Sequence, residues 1–156
     1  MKEIEELKVL KGKAYEHCVL FVGDRLKRIQ HQISELEAAL TSETKSSAGD
    51  KHETGRAMIQ LEREKLGRQL SELEKTQLLL SKVPKNRNSE TIGLGSLVVT
   101  DSFTYFIAIP SGVFKFKSRS VYCISAATPI GKLVFGKSVS DTFSFNGKKF
   151  SILAIQ

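Results

Sequence analysis

Ser-Glu-Thr-Lys-Ser-Ser-Ala-Gly-Asp-Lys-His-Glu-Thr-Gly-Arg, residues 42–56, is the stretch that decides the fold. Apolar residues at helical spacing precede this stretch and follow it. Its Ser, Thr and Gly residues cap helices and tolerate the backbone angles of turns. The sequence therefore predicts that residues 42–56 form the turn of a helical hairpin.

Two acids within this stretch are candidates for function. Asp50 and Glu53 are three residues apart, so a second helix that begins near Asp50 would carry both on one face of its first turn. Such a pair can present charge, or a hard cation, to a partner. Charged residues at hairpin tips are also commonly just solvated, and spacing alone leaves both interpretations open.

The arms of the hairpin are indicated by apolar residues at steps of three and four, the spacing of a heptad seam. In the first arm the seam is Tyr15, Val19, Val22, Leu26, Ile29, Ile33, Leu36 and Leu40. In the second arm the same steps give Ile59, Glu62, Leu66, Gln69, Leu73, Thr76 and Leu80. Such helices pack antiparallel along their seams, which predicts a two-helix coiled-coil hairpin over residues 1–83.

After the second arm the composition and the periodicity of the sequence change. Pro84 stops the second helix, and residues 84–91 are a polar linker. Residues 92–156 contain short runs of β-branched and aromatic residues separated by turn signals, of which Asn146-Gly147 is the strongest. These runs predict a small antiparallel β domain, and the fold class is α+β.

One short helix is expected within this β domain. Thr128 suits the N-cap, Pro129 the first helical position and Gly136 the end. The apolar residues at i, i+3 and i+4 would then lie against the sheet; they are Ile130, Leu133 and Val134.

The net charge of +7 is unevenly distributed along the chain. From Thr91 onward seven basic residues oppose two acids, which suits a surface that faces nucleic acid or an acidic protein. They are Lys115, Lys117, Arg119, Lys132, Lys137, Lys148 and Lys149, against Asp101 and Asp141.

Several classes of protein do not fit the sequence. No apolar run approaches the roughly 18 residues of a membrane span, and the first residues carry no secretory signal pattern. Cys18 and Cys123 are far apart in sequence and form neither a disulfide framework nor a metal spacing, so we expect small buried side chains in a reducing cytoplasm. No catalytic triad, phosphate loop or cofactor motif is present, and we expect no cofactor bound by the chain itself.

Two stretches carry a resemblance to a known family. Gly49-Asp50-Lys51-His52-Glu53 is similar to the tip of the Gre family of bacterial transcript-cleavage factors, in which an Asp precedes a Glu by three residues. Thr128 to Lys137, followed by Asp141, is similar to a segment of that family's C-terminal, FKBP-like domain. The hairpin from Phe143 to Ile155 resembles the end of that domain.

The resemblance implies that the protein acts within an enzyme, RNA polymerase. The hairpin would enter the secondary channel of RNA polymerase, and the FKBP-like domain would dock at its rim. Asp50 and Glu53 would help hold a Mg²⁺ ion of the polymerase, so that the backtracked 3′ end of the RNA is cleaved without an active site in this chain. Docking would use the segment from residue 128 to 137, with the candidates Thr128, Pro129, Ile130, Lys132 and Lys137.

Other functions remain open at this stage. After Glu53 this chain reads Thr54-Gly55-Arg56-Ala57, where the family usually has Asn-Ala-Glu-Tyr, and some relatives occupy the same channel and inhibit. The alternative is thus a regulator of the polymerase without cleavage activity. A peptidyl-prolyl isomerase needs an aromatic-lined pocket, whereas the aromatics here have strand spacing. A dimeric coiled coil is a further alternative; we expect a cytoplasmic monomer without sequence-specific DNA binding.

Overall fold

The computed structural model describes residues 1–45, 49–87 and 89–156, with side chains for residues 1–42, 53–87 and 89–156. Two long helices are followed by six strands and one short helix, which confirms the α+β class. The elements are α1 (Lys2–Lys45), α2 (Gly49–Ser81), β1 (Leu97–Thr100), β2 (Thr104–Ile107), β3 (Gly112–Phe116), β4 (Arg119–Ile124), α3 (Pro129–Val134), β5 (Thr142–Phe145) and β6 (Lys148–Ile155).

The helices extend further than their seams indicate. α1 has 44 residues and continues through Gly12 and Gly23, and α2 has 33. Much of the predicted turn is helical, because α1 ends at Lys45 and α2 begins at Gly49. Residues 46–48 of that turn lie outside the described residues. Within the described ranges, none of the helices is long and apolar enough to cross a membrane.

The chain divides into two compact units. We call residues Val22–Leu78 the hairpin unit, and Met1–Phe21 with Leu79–Gln156 the sheet unit. Residues 2–21 of α1 thus belong with the strands rather than with the rest of their own helix. The sequence-based boundaries, 1–83, 84–91 and 92–156, remain a prediction.

In the hairpin unit the predicted seam holds α1 and α2 together. Ile33, Leu66 and Leu73 are buried, whereas Glu62 and Gln69, polar residues at seam positions, are exposed. Nε of Arg63 on α2 lies 3.4 Å from a carboxylate oxygen of Glu37 on α1. The apolar positions of the heptad seam therefore identified the inner faces of both helices in this unit, whereas Glu62 and Gln69 are not part of the buried face.

In the sheet unit the predicted seam of α1 is wrong. Val19 is 45% exposed, and the buried positions follow another stripe. That stripe is Leu7, Leu10, Ala14 and Cys18. The physical reason is that residues 1–21 have different partners, since Cys18 Sγ lies 3.3 Å from the Ser111 hydroxyl just before β3. The heptad seam predicts burial against α2, so it does not predict which residues of α1 are buried in the sheet unit.

The six strands form one sheet in the order β3-β4-β2-β1-β6-β5. All neighbouring pairs are antiparallel except β2 and β4, which are parallel, so the fully antiparallel sheet expected from the sequence is wrong at this pair. The reason is that the β3-β4 hairpin folds with β3 at the sheet edge, and β4 then returns beside β2 in the same direction.

The hydrophobic core lies where α3 packs on this sheet. Its buried residues include Val98, Ile107, Phe143, Ile152 and Val134. The predicted hairpin of β5 and β6 is confirmed, with positive φ at both turn residues, 52° at Asn146 and 78° at Gly147. This pair of left-handed residues is what a two-residue hairpin turn requires.

Candidate functional site

The first candidate site is the start of α2. This helix begins at Gly49, so Asp50 and Glu53 both belong to its first turns, as the spacing argument requires. The Glu53 side chain is exposed, and the Asp50 side chain lies outside the described ones. Backbone N–H groups without helical partners point out of a helix start and favour nearby carboxylates. Glu53 is thus accessible to a partner.

A cation stands close to this acid along the helix. Arg56 is exposed and three residues after Glu53, a spacing at which side chains are neighbours on a helix surface. Gly55, between them, is helical. An arginine at this spacing competes with a metal ion for the Glu53 carboxylate.

A metal ion would need ligands from elsewhere at this site. Among the residues whose side chains are described, no group of three or more His, Cys, Asp and Glu is placed to hold a metal ion. Mg²⁺ in proteins is commonly held by one or two carboxylates together with waters and substrate phosphates. Two acids at a helix start therefore fit an ion that a partner already binds.

The second candidate site is α3 and the residues that follow it. The Thr128 hydroxyl accepts a hydrogen bond from the Gly131 N–H at 3.1 Å and donates one to the Ser125 carbonyl at 2.8 Å. Pro129, the first helical residue, is exposed. The N-cap prediction is confirmed, and the Thr128 side chain is fully used in holding the helix start.

The other predicted docking residues divide between the core and the surface. Ile130 packs against the core, and Lys132 is exposed. Lys137 is half-buried, and its carbonyl accepts a hydrogen bond from the Ile92 N–H at 2.8 Å. Asp141 accepts one from the Ser138 N–H at 2.7 Å and so holds the loop after α3. Pro129 and Lys132 are the predicted residues that a partner can reach directly.

Sequence reasoning missed the apolar part of this surface. Leu133 was expected against the sheet but is 37% exposed, and Phe135 and Val139, which follow it in the sequence, are exposed as well. Gly131 and Val134 are buried and Ile130 packs against the core, so Leu133 lies on the outer side of the helix. We call Lys132, Leu133, Phe135 and Val139 the α3 surface. Helical spacing gives no signal for it, because Leu133 is at i+3 and Val134 at i+4 from Ile130 and both are expected on the same face.

A cluster of thiols and a hydroxyl also escaped the sequence analysis. Cys18 and Cys123 are neighbours of Ser111 and of each other: Cys18 Sγ lies 3.3 Å from the Ser111 hydroxyl, and the Ser111 N–H donates to the Cys123 carbonyl at 3.3 Å. The hydrogen bond from Cys123, and then that from Ser111, lower the pKa of Cys18 against the opposing effect of burial. Its hydrogen bond with Cys18, followed by burial, raises the pKa of Cys123. Both thiols are buried, as expected, but they are neighbours rather than unrelated residues.

No protein-family model matches this sequence, and no curated protein is significantly similar to it. The resemblance to the Gre family thus depends on the two short motifs, together with the layout of a long helical hairpin followed by a small sheet.

Proposed function

We propose that this chain is a Gre-like factor of bacterial RNA polymerase, acting in the cytoplasm. The hairpin tip enters the secondary channel, the C-terminal domain docks at the rim, and cleavage of backtracked RNA is stimulated. The observation that carries the proposal is the position of Glu53. It is an exposed acid, three residues after Asp50, in the first turns of the second helix of a long hairpin.

In this proposal the chain contributes metal-binding carboxylates to the active site of the polymerase. Asp50 and Glu53 would share a Mg²⁺ ion with the polymerase, and that ion supplies charge stabilisation to the attacking and leaving oxygens of phosphodiester hydrolysis. The chain contributes two carboxylates at a helix start, where backbone N–H groups without helical partners favour negative charge. It binds no cofactor of its own and has no separate active site in this proposal.

Docking is assigned to the α3 surface. Lys132 supplies charge, and Leu133, Phe135 and Val139 supply exposed apolar side chains from the same segment. Interfaces commonly combine an apolar centre with charged residues at the rim. Thr128 and Ile130 would act indirectly, since one caps α3 and the other packs α3 on the core.

The decisive experiment measures RNA shortening in a stalled, backtracked elongation complex at several Mg²⁺ concentrations. Asp50→Asn and Glu53→Gln should each abolish most of the stimulated cleavage and leave the affinity for polymerase nearly unchanged. Glu64→Gln is the matched control, because it makes the same change at an exposed position further along α2. Cleavage by both tip variants at the parent's rate would exclude the metal role.

Docking is tested separately by affinity for polymerase. Lys132→Gln and Phe135→Ala should weaken binding, and Lys149→Gln, at an exposed position on β6, should not. Point variants are preferable to deletion of residues 91–156. Such a deletion would also uncover Leu7, Leu10 and the other buried residues of α1.

A second function, channel occupation without cleavage, is favoured by Arg56. Its spacing from Glu53 allows an ion pair that withholds the carboxylate from a metal ion. In that case the parent would bind polymerase and inhibit it, yet shorten no RNA at any Mg²⁺ concentration. Arg56→Ala would then be expected to change the degree of inhibition.

A further inference from the structure

A basic cavity in the sheet unit has no role in the proposed function. It has a volume of about 860 Å³ and is lined by the first part of α1, the segment from Pro84 to Arg87 and the end of β6. Four cationic side chains and one acidic side chain line it, a formal balance of 4 − 1 = +3. They are Lys8, Lys11, Lys85 and Arg87, with Glu16.

Lys11 is the unusual residue of this cavity. Only 7% of it is exposed, although lysines are almost never buried without a partner of opposite charge. Its ammonium donates to the carbonyl oxygen of Arg87 at 3.3 Å and forms no ion pair within the described residues. Burial, followed by the charge of Arg87, lowers the pKa of Lys11. An ammonium has three N–H donors, so two are left for another acceptor.

Arg87 also has a hydrogen-bond donor without a partner. Its Nη2 donates to the Thr91 carbonyl at 3.4 Å, but its Nε is buried and has no hydrogen-bond partner in the described part of the chain. A buried donor without a partner costs about 1–3 kcal/mol, and more for a charged group. Lys11 and Arg87 therefore line one cavity, and their charges repel each other.

The other charged side chains at this cavity do not neutralise the positive charge of Lys11 and Arg87. Glu16 lies 3.5 Å from the ammonium of Lys13, and Lys8 pairs with Glu5 at 3.6 Å. The Lys85 ammonium lies 5.4 Å from the centre of the Tyr15 ring, over its face. An anion between Lys11 and Arg87 would satisfy both cations at once.

We propose that this cavity binds a small phosphate monoester of nucleotide size. Lys11 and Arg87 would hold the phosphate, and Tyr15 and Ile155 would contact the organic part. A phosphate monoester carries about −1.5 to −2 charges at pH 7 and several acceptor oxygens, which matches two cations with free donors better than a carboxylate does. The volume is within the roughly 300–1,000 Å³ of small-molecule sites.

Calorimetric titration of the full chain tests this site with three probes at constant ionic strength. AMP should bind, inorganic phosphate should bind more weakly, and adenosine should not bind detectably. Adenosine binding as tightly as AMP would exclude the phosphate contact, and phosphate binding as tightly as AMP would exclude the contact with the organic part. A parent protein that binds neither AMP nor phosphate at millimolar concentration would overturn the proposal.

Variants then locate the site. Lys11→Met and Arg87→Gln should each weaken AMP binding at least tenfold, and Lys149→Met should bind like the parent. Without ligand, Lys11→Met should melt at or above the parent's temperature, because it removes a buried charge, so its loss of binding is not caused by unfolding. Unchanged AMP binding in both variants would place the ligand elsewhere. RNA oligonucleotides that bind through the same residues, without AMP binding, would also overturn the small-molecule site.

Discussion

Nε2 of His17 lies 2.9 Å from the carbonyl oxygen of Ser111. A carbonyl oxygen only accepts hydrogen bonds, so Nε2 carries the proton that it donates. The imidazole ring also stacks on Phe114, with 5.3 Å between ring centres. One side chain thereby joins the first half of α1 to the start of β3, across 94 residues of sequence.

His17→Ala should lower the free energy of unfolding by about 1–3 kcal/mol. It removes a partly buried hydrogen bond, leaves the Ser111 carbonyl without that donor and deletes a ring contact. Urea unfolding followed by circular dichroism measures the change. His31→Ala is the control, because His31 is exposed and its Nε2 lies 3.1 Å from a carboxylate oxygen of Glu35 on the same helix. Equal effects of the two substitutions would refute the structural role of His17.

Leu10→Ala and Val19→Ala distinguish the observed buried stripe from the seam expected from the sequence. Leu10 is buried, and its truncation should cost about 2–5 kcal/mol. Val19 occupies a seam position but is 45% exposed, and its truncation should cost less than about 0.5 kcal/mol. Thermal or urea unfolding measures both, and a large loss for Val19→Ala would restore the predicted seam.

Gly131→Ala and Gly23→Ala should change stability in opposite directions. A Cβ at Gly131 would overlap the Ser125 carbonyl oxygen and approach the Thr128 hydroxyl, so α3 would have to shift. A Cβ at Gly23 meets nothing within 4 Å, and alanine there should stabilise α1 by about 0.5–1 kcal/mol. The melting temperature should fall for the first variant and rise for the second. A rise for both would contradict the close approach at Gly131.

Lys11 should make stability depend on pH on the alkaline side. Its pKa in the folded chain is below the ordinary value of 10.5, so the unfolded chain binds more protons between the two pKa values. The free energy of unfolding of the parent, relative to Lys11→Met, should therefore rise as pH increases through that window. Subtracting the variant removes the contributions of Glu16, Lys8, Lys85 and the other groups common to both proteins. A difference that is constant with pH would disprove the burial of a charged Lys11.

Cys18 and Cys123 should be unreactive in the folded chain. Both thiols are buried, so a thiol reagent such as dithionitrobenzoate reaches them only when the sheet unit opens. Two equivalents should react at once in concentrated urea and slowly in buffer. Rapid reaction of one equivalent in buffer would show that the Cys18 thiol is accessible.

Local signals in the sequence predicted a large part of this architecture. The heptad steps located the inner faces of the hairpin unit, and Asn146-Gly147 located the turn between β5 and β6. Thr128 and Pro129 marked the start of α3. These features depend on side chains within a few residues of one another, and periodicity and capping preferences report such relationships directly.

Contacts between distant parts of the chain were beyond these signals. The parallel pairing of β2 with β4, the burial of Cys18 in place of Val19 and the contact of Lys11 with Arg87 all depend on which segments meet. Periodicity and capping signals in a single sequence do not show which distant segments pack together. At the candidate site, the sequence identified the acids of α2 but missed the apolar part of the α3 surface, because helical spacing alone does not separate Leu133 from Val134.

The division of the chain into units has a consequence for its synthesis. The first 21 residues leave the ribosome early, but β6, a central part of their unit, begins at Lys148, which is 148 − 21 = 127 residues later. At about 5–20 residues per second, this interval lasts roughly 6–25 seconds. Throughout it, the sheet that belongs to the same unit as the apolar stripe beginning at Leu7 is incomplete, and exposed parts of the stripe are open to chaperones and to other nascent chains.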